Sequence, residues 1–267
     1  MRLGFDLDGT VADMQGALAR EARRLFPALD PASLPRSVPA DDDSAESSGA
    51  GDDDQDNSQK AALSTSALSG RQQRELWRAA CARVNFWETL DEIEPGSLAR
   101  LYRLVQERRW ELIFLTSRPE TAGDTAQAQS YRWLAARGYL TPSVFVVHGS
   151  RGKIAAALAL DVLVDDRPEN CLDVAIDSAA RPILVWRGDE DRVPSSARQL
   201  GIGSVSSIAQ CLDILEALDQ EDDKGQGLVE RLKRLLGLKP RGRASARHPS
   251  PHTGRPDHQP AMDTTSV

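Results

Sequence analysis

Cysteine is scarce in this sequence of 267 residues, which has only Cys81, Cys171 and Cys211. Their number is odd, and no two of them have the spacing of a zinc site or a redox motif. We therefore expect reduced cysteines in the protein core and a reducing compartment rather than a disulfide framework.

Long apolar runs are also missing. No stretch approaches the roughly 20 apolar residues that a helix needs to cross a bilayer. The first residues lead directly into a short β-prone run and an acidic motif, where a secretory leader would have an apolar segment. These features predict a cytoplasmic protein without a membrane partner.

Large apolar side chains are nearly absent from residues 37–70 and 239–267. Such segments cannot bury enough apolar surface to fold, so we expect a disordered acidic insertion and a largely disordered basic tail over 221–267. The tail contains one amphipathic segment at 227–238, which we expect to form a helix.

The net charge of −7 comes from one segment, because residues 41–56 hold eight acidic side chains and neither Lys nor Arg. The rest of the chain is close to neutral, so no nucleic-acid partner is required. The acidic loop and the basic tail are candidate docking segments for unknown protein partners.

Short apolar runs alternate with amphipathic segments over most of the remaining chain. The predicted strands cover 2–6, 111–115, 143–147, 161–165 and 182–186. The predicted helices cover 13–26, 70–84, a segment around 98–105, a segment from Pro119 to Gly138, 153–160, 169–178 and 207–218. This alternation predicts an α/β fold with a parallel sheet covered by helices on both faces.

Ligands of such sheets bind at the carboxyl ends of the strands. Asp6 and Asp8 lie in the DLDGT segment (6–10), directly after the first strand, where Gly9 allows a sharp turn. One carboxylate can attack phosphorus, and the second can exchange a proton with the leaving oxygen and then with water. An ordinary turn with helix-capping carboxylates would have the same short pattern.

Asp165 and Asp166 end the predicted strand 161–165. Together with the carboxylates of 6–10 they would form a cluster that repels itself unless a cation is bound. Oxygen ligands favour Mg²⁺ over zinc. The alternative is a pair of aspartates that caps the helix beginning near Pro168.

Thr116 and Ser117 follow the second strand and offer hydroxyl and backbone N–H groups to phosphate oxygens. Lys153 in HGSRGK would open a helix after the third strand and balance phosphoryl charge. Taken singly, the hydroxyls could be an ordinary helix cap and the lysine a solvated surface charge.

In this order, DLDGT (6–10), Thr116, Lys153 and the aspartates 165–166 resemble the four motifs of the haloacid dehalogenase superfamily. The resemblance implies a Rossmann-like core (1–12 and 95–220) and a small helical cap (13–94) inserted after the first strand. It also implies Asp6 as nucleophile and Asp8 as acid/base. Mg²⁺ would be held by Asp6, the backbone carbonyl of Asp8, and Asp165 or Asp166.

A narrower resemblance is to the 5′(3′)-deoxyribonucleotidase branch, carried by NFWETLDEIEPG (85–96), LTSRP (115–119) and VDDRPEN (164–170). It implies a nucleoside monophosphate as substrate, with Phe86 and Trp87 in the base pocket. Their alternative role is packing in the cap or core. Other substrates remain open, namely a sugar phosphate, a phosphoprotein or a nucleic-acid 3′-phosphate, as does a non-catalytic binding protein on the same scaffold.

Overall fold

The computed structural model of the protein describes residues 1–27 and 68–220. The strands are β1 (Arg2–Asp6), β2 (Glu111–Thr116), β3 (Ser143–Val146), β4 (Val162–Asp165), β5 (Arg181–Val185) and β6 (Gly203–Val205). The helices are α1 (Met14–Leu25), α2 (Gly70–Ala82), α3 (Ser97–Arg108), α4 (Ala126–Ala135), α5 (Arg151–Ala157), α6 (Pro168–Asp177), α7 (Ser195–Gln199) and α8 (Ile208–Gln220). Two short 3-10 turns cover Phe86–Thr89 and Glu190–Arg192.

The six strands form one parallel sheet in the order β3-β2-β1-β4-β5-β6. This is the Rossmann-like α/β fold expected from the sequence. Asp6 is in register with Leu115 of β2, and Phe5 is in register with Val164 of β4. The chain places β2 and β3 on one side of β1 and then crosses to place β4, β5 and β6 on the other side. Where the strand order reverses in this way, the carboxyl ends of the neighbouring strands border a crevice, here those of β1, β2 and β4.

The region after β2 differs from the sequence prediction. The predicted helix from Pro119 starts only at Ala126, and residues 119–125 form a loop. The backbone N–H of Ala122 donates to the Cys81 carbonyl, and the Ala122 carbonyl accepts from Asn85 N–H. The Thr125 side chain then accepts from Ala128 N–H, which fixes the start of α4. Strand β6 and the short helix α7 were not predicted.

Helix α5 begins two residues earlier than expected. The Ser150 side chain accepts a hydrogen bond from Lys153 N–H at 3.1 Å, so Ser150 is the N-cap and Arg151 the first helical residue. Within this helix Arg151 is buried and Lys153 is exposed.

Helices α1 and α2, which lie in the segment predicted to form a cap (13–94), pack against each other. The segments around residues 11–13 and 91–93 run side by side between these helices and the sheet. The Asp13 N–H donates to the Asp91 carbonyl, and the Ile93 N–H donates to the Val11 carbonyl. Leu68, which falls within the insertion predicted over about 37–70, is buried.

The remainder of the acidic insertion and the tail 221–267, with its amphipathic segment, lie outside the described residues. No helix within the described ranges is long and apolar enough to cross a membrane.

Candidate active site

Three carboxylates meet at the carboxyl ends of β1 and β4. One oxygen each from Asp6, Asp165 and Asp166 lies within 4.8 Å of the others. Asp6 is only 7% exposed and Asp165 is fully buried. The sheet order therefore brings together three of the four aspartates that the sequence assigned to the site.

Hydrogen bonds orient two of these carboxylates. Asp165 accepts from the Arg167 backbone N–H at 2.9 Å and from Asn170 Nδ2, also at 2.9 Å at its closest. Asp166 accepts from Thr10 Oγ1 at 3.2 Å. Both aspartates are thus directed into the crevice by groups on the adjoining loops.

Two glycines allow the close approaches around the cluster. Gly9 has φ +85°, and a Cβ there would lie 2.2 Å from Asp166 Oδ2. A Cβ on Gly152 would lie 2.2 Å from the Asp173 carbonyl oxygen, so α5 packs against α6 only because this side chain is absent. The second glycine thereby lets the first turn of α5 approach α6.

The carboxylates are held in an environment that disfavours their charged forms. Burial, followed by the neighbouring charge of Asp165, raises the pKa of Asp6 well above its ordinary value. Burial is also the main cause that raises the pKa of Asp165, and burial with the charge of Asp165 raises the pKa of Asp166 to about 7. A bound cation would relieve this repulsion. An all-oxygen donor set of this kind fits Mg²⁺.

A buried arginine contacts the cluster. Arg151, with a side chain 3% exposed, donates from Nη2 to Asp6 Oδ1 at 2.9 Å and to Ser117 Oγ at 3.1 Å. Its Nε lies 3.8 Å from Asp165 Oδ2. Its Nη1 is buried and has no hydrogen-bond partner among the described residues. This donor is available to an oxygen atom of a ligand.

Lys153, which the sequence suggested for this role, has an exposed side chain. In the part of the chain that the structure describes, the cation in contact with Asp6 is the Arg151 guanidinium. Residues two positions apart lie on nearly opposite sides of a helix, so residue 153 faces away from the crevice when residue 151 faces it.

The Asp8 side chain does not belong to the carboxylate cluster. Arg118 donates to both of its oxygens, with Nη2 at 2.7 Å from Oδ1 and Nε at 2.8 Å from Oδ2. Buried Thr116 donates from Oγ1 to Asp8 Oδ2 at 2.9 Å, so this hydroxyl is engaged with Asp8. Ser117 is exposed at the crevice and accepts from Arg151.

The sequence reasoning missed three residues that build this site. Arg118, Arg151 and Asn170 are all present in the segments singled out above, namely LTSRP, HGSRGK and VDDRPEN. The signal was therefore available, but only the three-dimensional contacts assign each residue its partner.

Phe86 and Trp87 differ from the expected base pocket. Both are buried, at 1% and 0% exposure, and their rings meet edge to face with centroids 5.1 Å apart. Trp87 donates from Nε1 to the Pro119 carbonyl, and its backbone N–H donates to Gln129 Oε1. They pack in the core and present no open ring face to a nucleobase.

No protein-family model matches the sequence, and no curated protein matches it either. Among solved structures, a HAD family hydrolase from Deinococcus radiodurans R1, with bound phosphate and sodium, is similar with a TM-score of 0.50 and 13% identity. The match covers 82% of this chain and 96% of that chain.

Two further structures have lower TM-scores. A hydrolase from Pseudomonas syringae is 17% identical over 82% of this chain and 98% of its own, with a TM-score of 0.45. A haloacid dehalogenase-like family hydrolase from Xanthomonas campestris is 15% identical over 83% and 97%, with a TM-score of 0.42. At these identities the similarity establishes the fold: this chain has the Rossmann-like α/β fold of the Deinococcus hydrolase.

Proposed function

We propose that this chain is a Mg²⁺-dependent phosphatase of the haloacid dehalogenase superfamily, which hydrolyses phosphate monoesters through an aspartyl-phosphate on Asp6. One observation carries the proposal. The Asp6 carboxylate ends the central strand, shares a 4.8 Å cluster with Asp165 and Asp166, and accepts a hydrogen bond from buried Arg151. The bound phosphate of the Deinococcus neighbour is consistent with this chemistry.

The residues present fit a magnesium ion. Asp6, Asp165 and Asp166 would hold it, and the resemblance adds the backbone carbonyl of Asp8. When bound, Mg²⁺ neutralises phosphate charge so that an anionic nucleophile can approach. It also favours the ionised form of Asp6, which the attack requires and which burial alone disfavours.

The side chains divide the reaction between them. An oxygen of Asp6 attacks phosphorus, the bond to the leaving oxygen breaks, and Asp8 gives that oxygen a proton. Asp8 then takes a proton from water, which attacks the phosphorus of the aspartyl-phosphate, releasing phosphate and restoring Asp6. The unpaired Nη1 of Arg151 and the exposed Ser117 hydroxyl are available to phosphoryl oxygens.

A nucleoside monophosphate remains the proposed substrate on the strength of the segments 85–96, 115–119 and 164–170. The burial of Phe86 and Trp87 removes the stacking contact that would have favoured a base. Substrate selection therefore has to be measured. Sugar phosphates, phosphoproteins and nucleic-acid 3′-phosphates are the competing classes.

The test is a phosphatase screen of the purified full chain with Mg²⁺ or with EDTA. Asp6→Asn is the inactive variant, and Asp213→Asn, which removes a largely exposed carboxylate of α8, is its matched control. We expect Mg²⁺-dependent phosphate release in the wild type and the control, and its loss in Asp6→Asn. Undiminished activity in Asp6→Asn, or equal rates in EDTA, overturns the proposal. Nucleotides that rank no better than 4-nitrophenyl phosphate remove the nucleotidase assignment.

A further inference from the structure

Both carboxylate oxygens of Asp8 accept hydrogen bonds from one arginine, Arg118. Arg118 donates to it from Nε, at 2.8 and 3.1 Å from its two oxygens, and from Nη2 at 2.7 Å. The Arg118 side chain is fully buried, whereas the Asp8 side chain keeps 12% of its surface exposed. The arginine thus lies behind the carboxylate, and the carboxylate faces the crevice.

The guanidinium is itself fixed from several sides. Its Nη1 donates to Ser130 Oγ at 2.8 Å. Its central carbon lies 5.0 Å from the ring centroid of Trp87 and 5.9 Å from that of Trp133, distances at which a cation is attracted to an aromatic ring. A planar group held by hydrogen bonds at three nitrogens and by two rings has no alternative orientation.

This arrangement determines the direction of the Asp8 side chain. A free aspartate side chain samples several rotamers, and the paired hydrogen bonds from Nε and Nη2 select one of them. Proton transfer requires hydrogen-bond distance to the reacting oxygen, and a displacement of about 1 Å can lower a rate about 100-fold.

We propose that Arg118 is a positioning residue, which acts through Asp8 to aim its carboxyl group at the leaving oxygen of the substrate. The inference rests on the proposed phosphatase function. Arg118 differs from Arg151 in its task. Arg151 contacts the nucleophile and keeps Nη1 without a partner among the described residues, whereas Arg118 uses all three of its side-chain nitrogens in hydrogen bonds to Asp8 and Ser130.

The distinguishing measurement is the dependence on the leaving group. Benzyl phosphate and 4-nitrophenyl phosphate are similar in size, but the benzyl alkoxide needs a proton to leave and 4-nitrophenolate does not. We expect Arg118→Met to lower kcat/KM about 100-fold for benzyl phosphate and less than about tenfold for 4-nitrophenyl phosphate. Equal losses on both substrates would reduce Arg118 to a merely structural residue and overturn the inference.

The matched control is Arg137→Met. Arg137 also lies over Trp133, at 3.8 Å from the ring centroid, but its hydrogen bonds go to the carbonyls of Trp133 and Leu90. We expect it to leave the ratio of the two kcat/KM values unchanged. If Arg118→Met does not fold, Arg118→Lys is measured in its place. This variant keeps the charge but cannot donate to both carboxylate oxygens in one plane, so kcat/KM for benzyl phosphate should again fall more than kcat/KM for 4-nitrophenyl phosphate.

A second measurement needs no turnover. Thermal unfolding of Asp8→Asn, Arg118→Met and the double variant forms a double-mutant cycle, and a clamped pair predicts a double variant more stable than additive shifts would give. If the shifts in unfolding temperature of the two single variants simply add up in the double variant, the proposed interaction between Asp8 and Arg118 is overturned. If the wild type shows no turnover that depends on Asp6, the proposed function is overturned and so is the catalytic part of the inference. The double-mutant cycle still tests whether Asp8 and Arg118 interact, because it measures stability and not activity.

Discussion

Arg151 Nη2 lies 2.9 Å from Asp6 Oδ1, although one residue belongs to a helix and the other to a strand that is not adjacent to it in the chain. Asp6 ends the central strand β1, and Arg151 begins the helix that follows the edge strand β3, two strands away. The candidate nucleophile therefore already has a buried cation as its neighbour.

This contact predicts which basic residue supports catalysis. We expect Arg151→Met to lower kcat/KM by about 100-fold or more, because the variant removes a preorganised donor for the phosphoryl oxygens. Lys153→Met, two positions further along the same helix, should retain most of the activity because its side chain is exposed. Steady-state kinetics on one substrate decide, and a larger loss in Lys153→Met than in Arg151→Met would contradict the assignment.

The raised pKa values predict how stability depends on pH. The pKa of Asp166 lies at about 7 in the folded protein, above the ordinary value of an unfolded aspartate. Between pH 4 and 7 the metal-free folded state thus holds protons that the unfolded state has lost, so its stability falls as the pH rises through this range. We expect a lower unfolding temperature at pH 8 than at pH 5.5 without Mg²⁺.

Asp166→Asn should remove part of this penalty. Without Mg²⁺ at pH 8 we expect the variant to be more stable than the wild type by roughly 1–4 kcal/mol, because no charge is buried at this position. Added Mg²⁺ should stabilise the wild type more at pH 8 than at pH 5.5 and should stabilise the variant less, since the metal requires ionised ligands. Equal shifts with Mg²⁺ in the two proteins would mean that Asp166 does not hold the ion.

Two glycines with the same backbone angle provide a matched pair of substitutions. Gly9 has φ +85° and Gly96 has φ +86°, but only Gly9 has a close neighbour, Asp166 Oδ2 at 2.2 Å from an added Cβ. Both alanine variants should lose about 1 kcal/mol from the positive φ. Gly9→Ala should also weaken Mg²⁺ binding because it displaces Asp166. Equal losses of Mg²⁺ affinity in both variants would contradict the close approach.

We predict that Glu94 contributes to stability, and it is connected through Arg187 to the loop that follows β1. Its carboxylate accepts from the backbone N–H groups of Ile208 and Ala209 at the start of α8, and from Arg187 at 2.8 Å. Arg187 in turn donates to the carbonyls of Gly9 and Thr10. We expect Glu94→Gln to lower the free energy of unfolding by about 1–3 kcal/mol at pH 7.

The control for Glu94 is Glu111→Gln, which removes an exposed ion pair with Arg2 and should change stability much less than Glu94→Gln does. Burial acts to raise the pKa of Glu94, but the hydrogen bonds from Arg187 and the backbone outweigh it, and the pKa lies below its ordinary value. Its contribution is thus present above pH 4.5 and is lost as the pH falls below that value. Denaturant unfolding at pH 7 and pH 4 measures both effects; a difference between Glu94→Gln and wild type that does not shrink at pH 4 would contradict it.

The apolar runs predicted the sheet well because a parallel strand buried on both faces has an unmistakable composition. Strand β1 was predicted with its observed bounds, and β2 to β5 to within a residue. Strand β6 was missed because it has only three residues, Gly203–Val205, too few for a pattern.

The site was predicted less completely because the direction of a side chain depends on how its helix is rotated against the sheet, which the local sequence does not show. Arg151 and Lys153 lie on nearly opposite sides of α5, and the structure places Arg151 at the crevice and leaves Lys153 exposed. Trp87 shows a second reason: an aromatic residue near a site can line a pocket or pack behind it, and only the contacts with Pro119 and Gln129 decide for packing. Similarly, Arg118 has its partner Asp8 110 residues away along the chain.

The central position of β1 has a consequence for folding. Its neighbours β2 and β4 begin at Glu111 and Val162, so its apolar residues Leu3 and Phe5 gain their sheet partners only after long loops have closed. Pairing across such separations is slow and leaves apolar surface exposed in the meantime. Since Asp6 and Asp165 come together only when β1 pairs with β4, tight Mg²⁺ binding would report on the pairing of these two strands during refolding.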